Sequence, residues 1–247
     1  MLAHERQDAL KQILEEQGSV VVSDLARRWD VSEMTIRRDL KRLQDQGIVA
    51  RVHGGAVAGG VLRWKARVSQ HRAEKEAAAA KLAQFIPDSG CIYLDGSTTI
   101  YNLAQHFVRR GGLIVATNNV DTFQRLSQFA GIEAVVIGGV LNRETDNFVG
   151  PIARRSLTGL SFDAAFCSAY AMHPEHGACE PSVEDAEIKQ IVSERSAHVY
   201  VAMNHHKLGE RAAGCWEFDA DKSTLATDLD AGDERLAPYR SSFRTII

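Results

Sequence analysis

The stretch Ser32–Leu40, SEMTIRRDL, constrains this chain more than any other. Ser32 is a strong N-cap, able to accept from the free amides of a first helical turn, and no proline or glycine follows until Gly47. The spacing predicts one helix of about four turns from Glu33 to Gln46. Ile36, Leu40 and Leu43 recur on one apolar stripe, leaving Thr35, Arg37, Arg38, Lys41 and Arg42 on the other faces. One side buries; the other carries donors and positive charge. Asp30-Val31 reads as a tight turn joining this helix to a shorter one, Asp24–Trp29, capped by Ser23. Helix, turn, helix with a cationic outer face is the arrangement that places a second helix in the DNA major groove. Arginines outside an amphipathic helix also suit an ordinary solvated surface, so the flanking sequence decides.

The flanks favour the DNA reading. Glu5–Gln17 is a first helix with Ala9, Leu10, Ile13 and Leu14 as its inward stripe and Gly18 as its stop. Val20–Val22 reads as a small strand, Ile48–Val52 alternates into a second, and His53-Gly54-Gly55 turns before Ala56-Val57. Three helices and a short hairpin make residues 1–57 a winged helix-turn-helix, with Arg51 and His53 where a wing would meet backbone phosphates. Candidate DNA contacts are therefore Ser32, Thr35, Arg37, Arg38, Lys41, Arg42, Arg51 and His53.

Bulk charge does not supply the attraction. The 247-residue chain carries −3, and residues 1–57 hold nine basic and nine acidic side chains. Placement must do so: Arg37, Arg38, Lys41, Arg42 and Arg51 cluster against Asp39 and Asp45. Modest affinity per subunit follows, so useful binding calls for a homo-oligomer, a dimer or tetramer. The same balance argues against an architectural protein that coats DNA by charge alone. No apolar run follows the N-terminus and no window approaches the ~18 residues of a membrane span, so a cytoplasmic protein, nucleoid-associated when bound to DNA, is expected. Cys91, Cys167, Cys179 and Cys215 form no Cys-x-x-Cys pair, which disfavours a disulfide framework or a structural zinc module.

Residues 58–72 read as a linker and Ala73–Phe85 as the helix that opens a second domain, 73–247. Apolar strands then alternate with helices: Cys91–Leu94, Leu113–Ala116, Ala134–Ile137, Ala164–Ala169 and His198–Met203. Continuous apolar strands of this kind argue an α/β domain with a mainly parallel sheet covered on both faces, and ligands then sit at the carboxyl ends of the strands. Those ends carry small polar residues. Asp95-Gly96-Ser97-Thr98-Thr99 lies before a helix N-terminus, where amides and hydroxyls suit an anion such as phosphate. Thr117-Asn118-Asn119 offers partners for hydroxyl groups, Gly138-Gly139 lets backbone approach closely, and Lys207 can supply a cation. Each alone is an ordinary cap, turn or solvated lysine; their repetition points to a phosphorylated small molecule.

The N-terminal block, from Arg6 with Leu10 and Leu14 through VSEMTIRRDL to RVHGGAV, resembles the DeoR family of bacterial transcriptional repressors. That resemblance implies a recognition helix over Thr35–Leu40, with Arg37 and Arg38 among its DNA contacts. The second half is similar to the family's effector domain, which implies a fold related to ribose-5-phosphate isomerase and a sugar-phosphate effector. Carried over by motif, Asp95, Ser97, Thr98 and Thr99 match the phosphate loop, Thr117 and Asn118 the next turn, Gly138 and Gly139 the third, and Lys207 the late lysine. Three places depart from the pattern. Ser97 takes a glycine's place after Gly96, Asn204-His205-His206 replaces an Asp-x-Ser run before Lys207, and Ser168-Ala169-Tyr170 replaces a glycine-rich stretch.

The expected function is a DNA-binding repressor of a sugar or carbohydrate operon, controlled by a phosphorylated sugar. The alternative is a sugar-phosphate isomerase or deaminase with an accessory DNA-binding domain. That chemistry needs a positioned base, and Asp163, Glu184 and Glu187 are candidates by sequence proximity alone. His173, His176 and Cys179, with His205 and His206 elsewhere, have loose metal-ligand spacing, but Pro174 and Gly177 suit a loop and no fourth ligand is evident. No enzyme activity, metal or cofactor is expected.

Overall fold

The apolar stripe of the SEMTIRRDL helix closes the first of three cores. In the computed structural model, which describes the chain apart from residues 1–2, 18, 46–48, 53, 59–66, 69 and 108–110, helices α1 (Ala3–Gln17), α2 (Val22–Trp29) and α3 (Glu33–Asp45) come first. Strands β1 (Ser19–Val21), β2 (Val49–Val52) and β3 (Gly55–Ala58) form an antiparallel sheet in the order β1-β3-β2. Ile36, Leu40 and Leu43 are fully buried with Leu10, Leu14 and Leu25. Each such side chain contributes about 1.5–3 kcal/mol on leaving water. This is a winged helix-turn-helix.

One start signal is corrected. Helix α2 begins at Val22, not Asp24, and Ser23 lies inside it without capping it. The amide of Val22 donates instead to the carbonyl of Gly54 in the wing turn at 3.0 Å, so tertiary contact does the work assigned to a local hydroxyl. Asp30, at φ +51°, makes the left-handed turn between α2 and α3.

Chain contacts divide the molecule into residues Met1–Gln70 and His71–Ile247. The second unit opens with α4 (Arg72–Leu82) and is built on a seven-stranded sheet. Its strands are β4 (Gly90–Leu94), β5 (Leu113–Thr117), β6 (Ile132–Val136), β9 (Ala164–Cys167), β12 (Val199–Met203), β14 (Ser223–Thr227) and β15 (Thr245–Ile246). All neighbours are parallel, in the order β15-β14-β12-β9-β4-β5-β6. Successive residues serve opposite faces. Ile92, Leu94 and Phe166 join one core with α4 and α5 (Thr98–Leu103); Tyr93, Cys167 and Val201 join the other with α7 (Gly150–Thr158) and α8 (Val183–Glu194). Helix α6 (Val120–Leu126) adds Leu126 to the first of these. Burial on both faces is why the central strands β4, β9 and β12 read as apolar runs.

Strands β14 and β15 and helix α7 were not expected from the sequence, nor were two smaller pieces. A hairpin pairs β7 (Val140–Asn142) with β8 (Asn147–Val149), and an antiparallel sheet runs β10 (Ala171–His173), β11 (Gly177–Glu180), β13 (Gly214–Trp216). Strand order reverses at β4, which has β5 on one side and β9 on the other. A crevice opens at such a switch point, beyond the carboxyl ends of the strands.

Candidate DNA interface and effector site

The face of α3 opposite its stripe presents the cations. Ser32 Oγ accepts from the Thr35 amide at 3.2 Å and lies 2.9 Å from Thr35 Oγ1, fixing the helix start. Arg38, Lys41 and Arg42 are exposed, and Arg37 reaches back one turn to Glu33 at 3.2 Å. That exposed pair is weak and can exchange for a phosphate. Asp39 is not on this face. It is 2% exposed and accepts from Arg6 Nε at 2.6 Å and Gln7 Nε2 at 3.2 Å. The acid that a tally along the sequence sets against the arginines is thus neutralised inside. Arg51 lies in β2 opposite Ala56, and His53 falls outside the described residues.

In the second unit the polar strand ends converge on the switch point. Asp95, 1% exposed, follows β4; its Oδ1 accepts from the Ser97 amide at 2.9 Å and its Oδ2 from the Ser168 amide after β9 at 2.8 Å. Lys207, after β12, donates to Ser168 Oγ at 3.1 Å and to the Ala169 carbonyl at 2.6 Å. Ser97 caps α5 by accepting from the Ile100 amide at 3.1 Å. Thr98 and Thr99 are buried, and Thr99 Oγ1 has no partner among the described residues. Thr117 accepts from the Asn119 amide at 3.2 Å, and Asn118 accepts from the buried Tyr93 hydroxyl at 2.7 Å. Of the glycine pair, Gly138 faces open space, whereas a Cβ on Gly139 would lie 2.6 Å from the Val149 carbonyl. Close packing against β8 accounts for Gly139.

Long-range partners that the sequence did not single out tie this cluster together. Lys189 of α8 sits between Glu180 at 2.5 Å and Asp95 at 3.1 Å, and donates to the Ser168 carbonyl at 2.6 Å. All three charged groups are buried. Burial works against the Lys189 charge, but the two carboxylates outweigh it and hold its pKa above the ordinary lysine value. At Glu180 burial dominates and raises the carboxyl pKa, with Lys189 opposing. Nearby, Asp185 accepts from Asn142 at 3.1 Å and Asn147 at 2.9 Å, and Asn147 accepts from the capping Asn119 at 3.0 Å. Gly96 is fixed by this group, since a Cβ there would lie 1.7 Å from Asn147 Oδ1. The only advance signal was an uncommon Lys in the apolar stripe of α8.

The proposed bases do not gather here. Asp163 is exposed at the opposite end of β9, where it accepts from the Cys91 amide at 2.8 Å, and Glu187 pairs with Arg154. The loose metal grouping also dissolves. Cys179 is buried in β11 opposite Cys215, while His173 and His176 lie beside Glu175 instead.

Comparison with known proteins agrees with this two-part build. The DeoR-like helix-turn-helix domain matches residues 6–59 and the DeoR C-terminal sensor domain matches residues 70–219. The transcriptional regulator FruR of Bacillus subtilis is 28% identical over 234 residues, 93% of each chain. The lactose phosphotransferase system repressor of Staphylococcus aureus is 29% identical over 217 residues, 85% of this chain and 86% of that one. Among solved structures, ribose 5-phosphate isomerase A of Methanocaldococcus jannaschii aligns over 54% of this chain and 52% of that one at 14% identity and a TM-score of 0.40, too distant to bear on activity. No helix among the described residues is long and apolar enough to cross a membrane. With family models covering both of its units, the chain belongs to the DeoR family: it is a DNA-binding transcriptional regulator rather than an enzyme.

Proposed function

We propose that this protein represses an operon of carbohydrate metabolism and that a phosphorylated sugar, bound at the strand ends of the second unit, controls it. It acts as a homo-oligomer in the cytoplasm, on the nucleoid when bound to its operator. The observation that carries the DNA half is the outer face of α3, where Arg38, Lys41 and Arg42 stand exposed while Asp39 is turned inward. Similarity to the lactose phosphotransferase system repressor of Staphylococcus aureus supports the sugar half. So do the hydrogen bonds that join Lys207 and the loops after β4 and β9 near the point where strand order reverses. Control requires the ligand to bind one subunit arrangement better than the other.

The experiment is fluorescence anisotropy of the full chain on DNA from upstream of its neighbouring operon, alone and with a panel of sugar phosphates. Sequence-selective binding that Arg38→Ala weakens, and that one sugar phosphate shifts, is the expected result. Binding indifferent to sequence would remove the proposal. Thermal unfolding across the same panel identifies the ligand, because a bound ligand stabilises by its concentration relative to its Kd.

A further inference from the structure

Outside both sites, His71, Glu74 and His206 each bring one ligand atom within 4.8 Å of the others. His71 Nδ1 lies 4.0 Å from Glu74 Oε1 on the first turn of α4, and His206 Nε2 lies 3.7 Å from the same oxygen. We propose that these three side chains form a binding site for a divalent transition metal of the zinc or cobalt class, with water completing the shell.

The chemistry and the geometry agree. Two imidazoles and a carboxylate are a donor set for a borderline ion, and tetrahedral coordination at about 2.0–2.2 Å sets neighbouring ligand atoms about 3.4 Å apart. His71 and His206 are exposed and Glu74 is half-buried, so small rotations of the imidazoles close the difference. The backbone of His71 stands at φ +49°, a left-handed conformation that a non-glycine residue adopts at some cost. The loop bearing His206 is held from behind. His205 packs its ring 3.9 Å from that of His206 and grips Asp228 through its amide at 2.8 Å and its ring at 2.5 Å. Charge there is mixed, with Lys75 opposing a cation and Glu74 favouring it.

The rival grouping, His173, Glu175 and His176, is poorer. Both ring nitrogens of His173 are engaged, Nδ1 by the Glu175 amide at 3.2 Å and Nε2 by Arg211 at 2.9 Å, and the guanidinium repels a cation.

Position gives the site a consequence. His71 is the first residue of the second unit, immediately after the segment that leaves the DNA-binding unit, and His206 precedes Lys207 at the strand ends. An ion would fasten that entry point to the effector loop, favouring one arrangement of it. This regulatory step rests on the effector reading above; the metal site does not.

The test is titration of the untagged full chain with Co2+, read by visible absorption, with Glu74→Gln, His206→Ala and the double variant His173→Ala/His176→Ala. One ion per chain is expected, with affinity falling more than about 100-fold in Glu74→Gln and His206→Ala, beyond the ~10–100-fold that changes around the ligands cost. The double variant keeps wild-type affinity. No saturable binding, unchanged affinity in Glu74→Gln, or loss in the double variant alone overturns the site. Glu74→Gln retains shape and so stands even if His206→Ala fails to fold.

Discussion

The two functional regions spend their polar groups in opposite ways. On α3 the cations point outward, and Asp39, in the middle of the same helix, is turned inward onto Arg6. At the strand ends of the second unit the charged groups point at one another: Lys189 at Glu180 and Asp95, Asp185 at Asn142 and Asn147. A surface that reads DNA must leave its donors for phosphates and base edges, whereas charged groups buried at strand ends must satisfy one another. The first region can therefore lose side chains without unfolding, and the second cannot.

The largest expected effect breaks the internal network. Lys189→Met leaves Glu180 and Asp95 buried without their cation and should lower stability by about 3–5 kcal/mol, read as a fall in the urea midpoint. Gly96→Ala, which drives a methyl into Asn147, should cost roughly 1–3 kcal/mol in the same assay. The outer face behaves conversely. Arg37→Ala and Arg38→Ala should each weaken operator binding by about 1–3 kcal/mol while moving stability by no more than ~0.5 kcal/mol. Ser32→Ala touches both properties slightly, losing a cap worth about 1 kcal/mol in unfolding and some order at the helix start.

The smallest effect is on the acid side. At Asp228 burial raises the pKa, but the ring and amide of His205 outweigh it and hold the carboxyl below its ordinary value. A depressed carboxylate stabilises the fold above its unfolded pKa and ceases to as pH falls through the folded one. Unfolding followed by circular dichroism below about pH 4 should therefore show a steeper loss in the native chain than in Asp228→Asn.

Legibility in the sequence follows the same divide. Helix α3, its cap and its cationic face were readable because the partners lie within a few residues, as Ser32 and Thr35 do. The central strands β4, β9 and β12 are legible because burial on both faces makes apolar runs. What escaped depends on distance along the chain. Val22 satisfies its amide at Gly54, Asp39 finds Arg6 33 residues away, and Asp95 finds Ser168 73 residues away. No local period records such pairs. The strand-end loops showed their polar composition but not which groups they would spend on each other.

The account's central claim is that a sugar phosphate at the strand ends governs the arginine face of α3. The direct measurement is the Kd of the full chain for its operator, by anisotropy, as each sugar phosphate is titrated. The prediction is that one of them shifts that Kd at least tenfold in the native protein and fails to do so in Lys207→Ala. An operator Kd unmoved by every sugar phosphate, or moved equally in Lys207→Ala, would contradict it.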